Sequence, residues 1–387
     1  MSSTQRTLIF AGGAVLLVLF FINFVIPYYW QTSYVAQIAG VPFILPKPEY
    51  VVTHLPTPLP LKGLYMTSCV AGTKSWRQSL RKLIEETELN AVVIDIKDYT
   101  GTVSFPNDFP HANPLNGCVV GDMGKFVSEL HESGIYVIGR ISVFQDPAYS
   151  NLFPELAVKA SSTGGVWRDK KGLSFIDVGA KPYWDYILDL AKASYTLGFD
   201  ELNFDYVRYP SDGNMAEARY MWLMGTSTKA VTLENFFSYL SANLKGTGVV
   251  TSVDLFGMTM TVMNDMGIGQ VLEQTLPYFD FVSPMVYPSH YPPTWNGFGN
   301  PAEYPYEVVK IAMTTGRERE VAWNTLQGLA STTPSKLRPW LQDFNLGATY
   351  DVAKVRAQIQ ATYDSGLTSW MIWSAGNKYT VGALLLN

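Results

Sequence analysis

The sequence predicts an α/β fold, a (β/α)8 TIM barrel, preceded by one N-terminal transmembrane helix. Three observations predict it. After residue 60, eight short runs rich in β-branched and aromatic residues alternate with segments of helical spacing; strand–helix alternation implies a parallel sheet, and eight such strands close into a barrel. Polar and charged residues collect toward the C-terminal ends of those runs, the end at which such barrels meet their ligands. Finally, residues 8–26, "LIFAGGAVLLVLFFINFVI", carry no charge. A doubly wound open sheet is the alternative to the barrel, but the turn at 67–74 lacks the G-x-G-x-x-G fingerprint of that fold.

The anchor is the first element. Asn23 is the one strongly polar residue of the run. About 20 apolar residues rising ~1.5 Å each match a ~30 Å hydrocarbon core. A core helix would carry a polar stripe, and this run has none. Tyr28, Tyr29 and Trp30 follow as an interfacial belt. No A-x-A-like site comes after the run, so it reads as a retained anchor rather than a signal peptide. Arg6 precedes it and Lys47 is the next cation, which puts the N-terminus in the cytoplasm and the barrel outside the cell membrane. Residues 1–30 are thus the cytoplasmic N-terminus and anchor. Residues 31–60 hold Pro42, Pro46, Pro48, Pro56, Pro58 and Pro60 and read as an extended tether. Residues 61–387 form the barrel domain.

The strand runs are 63–68, 91–98, 136–144, 201–210, 249–257, 279–288, 337–344 and 366–375. Helical spacing marks 76–88, 123–133, 183–197, 233–244 and 352–364. Each of these helices ends in or near a Gly, Asn or Ser suited to stopping it.

Taking one parity of each strand as inward gives Asp95 and Lys97, Arg140 and Ser142, Asn203 and Asp205, then Ser252 and Asp254. Later strands add Tyr287, Gln342 and Trp373. The other parity is mostly apolar, as at Ile94, Ile96, Phe204, Val253 and Leu255, and faces the helices. Unpaired buried charges cost several kcal/mol each, so such a ring is either a working barrel mouth or an internal salt-bridge network. Asp205 and Asp254 are the sharpest pair. They end neighbouring strands ~4.8 Å apart, so carboxylates at one height lie roughly 5–6 Å apart. At that separation one carboxylate serves as nucleophile and the other as acid/base in retaining glycoside hydrolysis. Arg140, Lys97 and Arg208 are the cations available to them, and Asp95 is a third acid suited to substrate hydroxyls. Tyr287 and Trp373 offer rings to a sugar face, with Gln342 and His290 (in "YPSHYPP") as further contacts. Loop packing is an equal role for His290.

The net charge of −5 gives a nucleic-acid backbone little to bind. The 14% aromatic content suits either core or sugar faces. The four histidines form no H-x-H or H-E-x-x-H, and Walker A, G-x-S-x-G and kinase signatures are missing from the sequence. No metal and no cofactor are therefore expected. Cys69 and Cys118 follow strands one and two; outside the membrane an even count permits a disulfide, and two free thiols are the alternative.

Together "NAVVIDIKD", "IYVIGRISVFQDP", "GFDELNFDYVRYP", "SVDLFG", "GIGQ", "SPMVYPSHY", "RPWLQDF" and "WMIWSAGNKYT" resemble, in order and spacing, the putative glycosyl hydrolase family long catalogued as a domain of unknown function. The resemblance covers about residues 61–387. It implies a TIM barrel of the glycoside hydrolase superfamily, often tethered at a bacterial cell surface. Within it, "DELNFDYV" is similar to a chitinase-type strand, but Asn203 and Val207 stand where the second acid and the glutamate would be. Acids ending strands four and five also resemble the α-amylase arrangement, which implies Asp205 as nucleophile and Asp254 as acid. That family's strand-four arginine is Asn203 here, its acid is a glutamate where this chain has Asp254, and Asp343, similar to its third acid, falls on the outward parity. The expectation is a membrane-tethered hydrolase of a cell-surface or exopolysaccharide glycan. The alternative is a barrel that binds a polysaccharide or oligosaccharide without cleaving it. A deacetylase or esterase would want metal ligands or an activated serine.

Overall fold

The computed structural model describes residues 50–109, 117–223, 227–330 and 333–387. The apolar run 8–26 and most of the tether lie outside the described residues, among which no helix is long and apolar enough to cross a membrane.

Eight parallel strands close into a barrel in sequential order. They are β1 (Lys62–Met66), β2 (Ala91–Lys97), β3 (Tyr136–Ser142), β4 (Glu201–Asp205), β5 (Val250–Phe256), β6 (Phe281–Met285), β7 (Trp340–Gln342) and β8 (Trp370–Trp373). All seven residues of β2 and of β3 are buried, as strands covered on both faces require. One parity packs on the helices through Leu64, Ile94, Ile141, Phe204, Val253 and Ile372. The other fills the barrel with Tyr65, Val93, Ile138, Trp340 and Met371. β7 is shorter than its apolar run because Pro339, which has no N–H to donate, interrupts the ladder; Leu337 still bridges to Val282.

Around the barrel lie α1 (Lys74–Glu86), α2 (Met123–Glu132), α3 (Lys181–Leu197), α4 (Lys229–Leu244), α5 (Leu272–Thr275), α6 (Pro305–Leu326) and α7 (Val352–Asp364). In α1 the buried set Arg77, Leu80 and Ile84 falls at the i, i+3, i+7 spacing of one face. Gly198, at φ 121°, ends α3 in a backbone conformation that favours glycine. The longest helix among the described residues, α6, is one that the sequence reading did not assign. Its apolar face, Val308, Val309, Ala312 and Met313, is continued by Gly316 rather than a large side chain. A Cβ at Gly316 would meet Met260 Sδ at 2.6 Å, so the helix needs a gap in its own pattern to pack.

The N-terminal rim is closed by the last residues before β1. Leu55 N donates to Asp200 Oδ1 at 2.6 Å, Thr57 Oγ1 meets the Tyr136 hydroxyl at 3.0 Å, and Leu55 packs on the barrel interior. Just inside, the buried Arg338–Glu201 ion pair forms the bottom layer. At the opposite rim Cys69 and Cys118 are joined by a disulfide, with Cα atoms 5.0 Å apart.

Candidate active site

At the C-terminal mouth Arg140, from β3, stands between two acids. Its Nη1 donates to Asp95 Oδ1 at 2.6 Å, while Nε (3.1 Å) and Nη2 both donate to Asp205 Oδ2. Asp95 accepts a further bond from the Tyr65 hydroxyl at 2.5 Å, and Tyr206 N donates to Asp205 Oδ1 at 2.6 Å. These three charged side chains are nearly buried, so each depends on the others for its solvation.

Asp254 stands beside Asp205. The β4–β5 register pairs Phe204 with Val253, and one step further along both strands reaches the two aspartates. Asp254 Oδ1 accepts from Asn203 Nδ2 at 2.8 Å and from Trp340 Nε1 at 2.9 Å. Burial first, and the neighbouring Asp205 charge second, push its carboxyl up to about 8. Asp254 therefore keeps its proton to higher pH than an ordinary carboxyl does.

Above Asp205 opens a cavity of about 320 Å³ lined by Arg140, Asp205, Tyr206, Arg208, Phe256, Gly257, Met258, Met285, Tyr287, His290, Tyr291 and Trp373; Asp254 lies behind its wall and is not a lining residue. Gly257 lets β5 approach the chain leaving β6: a Cβ there would lie 2.5 Å from the Met285 carbonyl oxygen. Tyr65 stacks on Trp373 at 3.8 Å and covers one face of that ring. Tyr287 is almost fully buried in the wall, and His290 sits at the rim with Nδ1 3.0 Å from Ser289 Oγ.

Several residues are not where unbroken alternation puts them. Lys97 does not join Arg140. A bulge shifts the register so that Asp95 pairs with Arg140 but Lys97 with Ile141, and one extra residue sends a side chain to the other face. Its Nζ instead meets Asp146 Oδ2 at 2.9 Å and the Tyr183 hydroxyl at 3.1 Å. Gln342 is inward but lies beneath the cavity wall. Its Oε1 accepts from Ser289 N and Oγ, and Nε2 donates to the Phe344 carbonyl, so it braces the loop that carries His290. Asp343 is turned away, bonded to Thr380 N and Oγ1 at 2.7 Å. Tyr206, two residues on from the outward Phe204 and so on its parity, lines the cavity instead. Its φ of 52° is the left-handed region, which is costly for a bulky residue, and resets the alternation so that Arg208 faces the cavity too. Tyr65 and Trp340, which touch Asp95 and Asp254, were not among the sequence candidates; the same inward parity applied to β1 and β7 finds both. Among the described residues no group of three His, Cys, Asp or Glu is placed to hold a metal ion.

Residues 63–379 match the family described as "putative glycosyl hydrolase domain". The chain belongs to that family. Membership of that family supports a hydrolase with a glycoside hydrolase-like domain. No curated protein matches it. Among solved structures it is similar to a hypothetical protein from Ruminiclostridium thermocellum, at 34% identity over 49% of this chain and 96% of that one, with a TM-score of 0.45. It is also similar to the PgaB (BpsB) glycoside hydrolase domain from Bordetella bronchiseptica, at 15% identity, 82% and 94% coverage and a TM-score of 0.57. Alpha-L-fucosidase isoenzyme 2 from Paenibacillus thiaminolyticus matches at 10% identity over 84% of this chain and 48% of that one, TM-score 0.57. The latter two share the barrel fold with this chain.

Proposed function

We propose that the protein is a membrane-tethered, extracytoplasmic glycoside hydrolase of a cell-surface or exopolysaccharide glycan, with Asp205 as nucleophile or base and Asp254 as acid. The observation that carries this reading is the pairing of two adjacent carboxyl groups with opposite roles. Asp205 is ion-paired by Arg140 and lines the cavity, while burial and the Asp205 charge push the Asp254 carboxyl up to about 8. Pairs whose environments separate them in this way divide the acid and base work of glycoside cleavage. The neighbouring-strand spacing, roughly 5–6 Å between such groups, favours retention of anomeric configuration. Arg140 and Asp95 position Asp205. Tyr287, Trp373 and His290 meet the sugar, while Lys97 and Gln342 act only through the loops they brace.

The test is a panel of bacterial surface polysaccharides read for new reducing ends. Asp254→Asn is expected to lower turnover by ~10²–10⁴-fold, the usual worth of a general acid. In the parent protein kcat/KM is expected to fall as pH rises through about 8, as Asp254 loses its proton, and Asp254→Asn should lack that limb. A parent profile flat from pH 6 to about 9 would remove Asp254 from the acid role. A second reading, a barrel that binds glycan without turnover, is favoured by the burial of Asp254, only 1% exposed. It predicts glycan binding without new reducing ends, and binding left largely intact when either aspartate is replaced by alanine.

The tether half of the proposal is supported by the charge-free run 8–26, and by the disulfide, which suits an oxidising compartment. Protease added to intact cells is expected to release the barrel. A soluble mature protein beginning after residue 30 would overturn it.

A further inference from the structure

Arg208 differs from the other charged residues of the mouth. Arg140 is neutralised by Asp95 and Asp205, whereas Arg208 enters no ion pair among the described residues. Its Nη1 donates to the Tyr209 carbonyl and to Ser211 Oγ, both at 3.2 Å, and Nε and Nη2 donate to no described residue. Three rings hold the guanidinium: Phe256 at 4.8 Å, Tyr206 at 5.0 Å and Phe175 at 5.7 Å from their centroids. Rings around a cation fix it and shield it from water without using its donors.

Its position is equally specific. A second hollow of about 340 Å³ adjoins the first, and Tyr206 and Arg208 line both. The second hollow also contains Lys171, which has no ion-pair partner among the described residues, and two carboxylates that are already engaged. Asp169 Oδ1 accepts from Lys171 N and Leu173 N at 2.8 Å, and Asp212 pairs with Lys170 at 3.1 Å. The cleft therefore offers two uncommitted cations, and the ring-held one, Arg208, lines the same hollow as Asp205.

We propose that Arg208 is a specificity-determining residue that binds a carboxylate substituent of an acidic glycan, in the subsite next to Asp205. A planar guanidinium with two free nitrogens matches a carboxylate in bidentate fashion. Prior fixing by the three rings lowers the entropy lost on binding. A merely structural arginine would be expected to spend these donors on a carboxylate or on backbone carbonyls. The assignment rests on the glycan-hydrolase reading, and binding is measured apart from cleavage so that the two fail separately.

The test is calorimetric titration of the full-length protein with defined probes. They are oligomers of glucuronate-containing hyaluronan, alginate and polygalacturonate; neutral xylan and β-glucan oligomers; cationic chitosan oligomers; and a glycerol-phosphate polymer. At least one carboxylated probe is expected to bind about 10–100-fold tighter than any neutral or cationic one, the worth of a charge-assisted bidentate contact. Arg208→Gln should abolish that preference, and Arg208→Lys should restore only part of it. Equal or tighter binding of neutral or cationic probes, no binding of any carboxylated probe, or an Arg208→Gln variant that keeps the preference overturns the proposal. A preference for the phosphate polymer overturns the carboxylate assignment. Cleavage of a neutral glycan would leave the hydrolase reading standing and remove this one. Carboxylate binding without cleavage would do the reverse.

Discussion

Asp205→Asn is expected to lose glycan hydrolysis by several orders of magnitude while remaining folded. The substitution keeps the shape of the side chain and an oxygen able to accept from Arg140, but removes the charge that attacks or abstracts a proton. Arg140 retains its 2.6 Å bond to Asp95, so the buried cation is not stranded. The stability loss should be about 1–3 kcal/mol, that of weakening a charged hydrogen bond. Initial rates on the cleaved polysaccharide and urea melts of both proteins check the two halves. Parent-level turnover in the variant would exclude Asp205 from the chemistry.

Arg140→Met is expected to cost both stability and activity. It leaves Asp95 and Asp205, 3% and 5% exposed, facing one another without a cation. Removing one partner from a buried ion pair costs about 3–5 kcal/mol. The sign of the pH dependence follows. Burial holds the Asp95 carboxyl above its ordinary range even with Arg140 beside it; without that cation it rises further, so the variant binds more protons on folding and loses stability as pH rises. The deficit relative to the parent protein should therefore be smaller at pH near 5 than near 8. Denaturant melts at the two pH values measure it. A uniform loss under about 1 kcal/mol would mean that the pair is effectively solvated, as surface ion pairs are.

Much of this architecture is legible in the chain itself. Period-two runs separated by amphipathic helices are a local property, and a closed parallel barrel is the arrangement that buries both faces of eight such runs. Inward placement of Asp95, Arg140, Asn203, Asp205 and Asp254 follows from the same alternation, because each lies on an uninterrupted stretch of its strand. The helix α6 escaped because its face is completed by Gly316 against Met260, a contact with a residue far away in sequence.

Where the chain leaves regular geometry, only the tertiary structure decided the outcome. The bulge in β2 carries Lys97 out of the mouth to Asp146. The left-handed Tyr206 brings itself and Arg208 into the cleft. Neither event is written in the identities of the neighbouring residues: a bulge is set by how two strands pair, and a bulky residue tolerates φ of 52° only when its surroundings compensate the strain. By itself the sequence determined which strands carry the charges and which face of each regular strand they occupy. The pairing of those charges, Asp205 with Arg140, Asp254 with Trp340 and Lys97 with Asp146, was decided by contacts between distant segments, because an ionisable group settles where burial and its partners together leave it least exposed to unpaired charge.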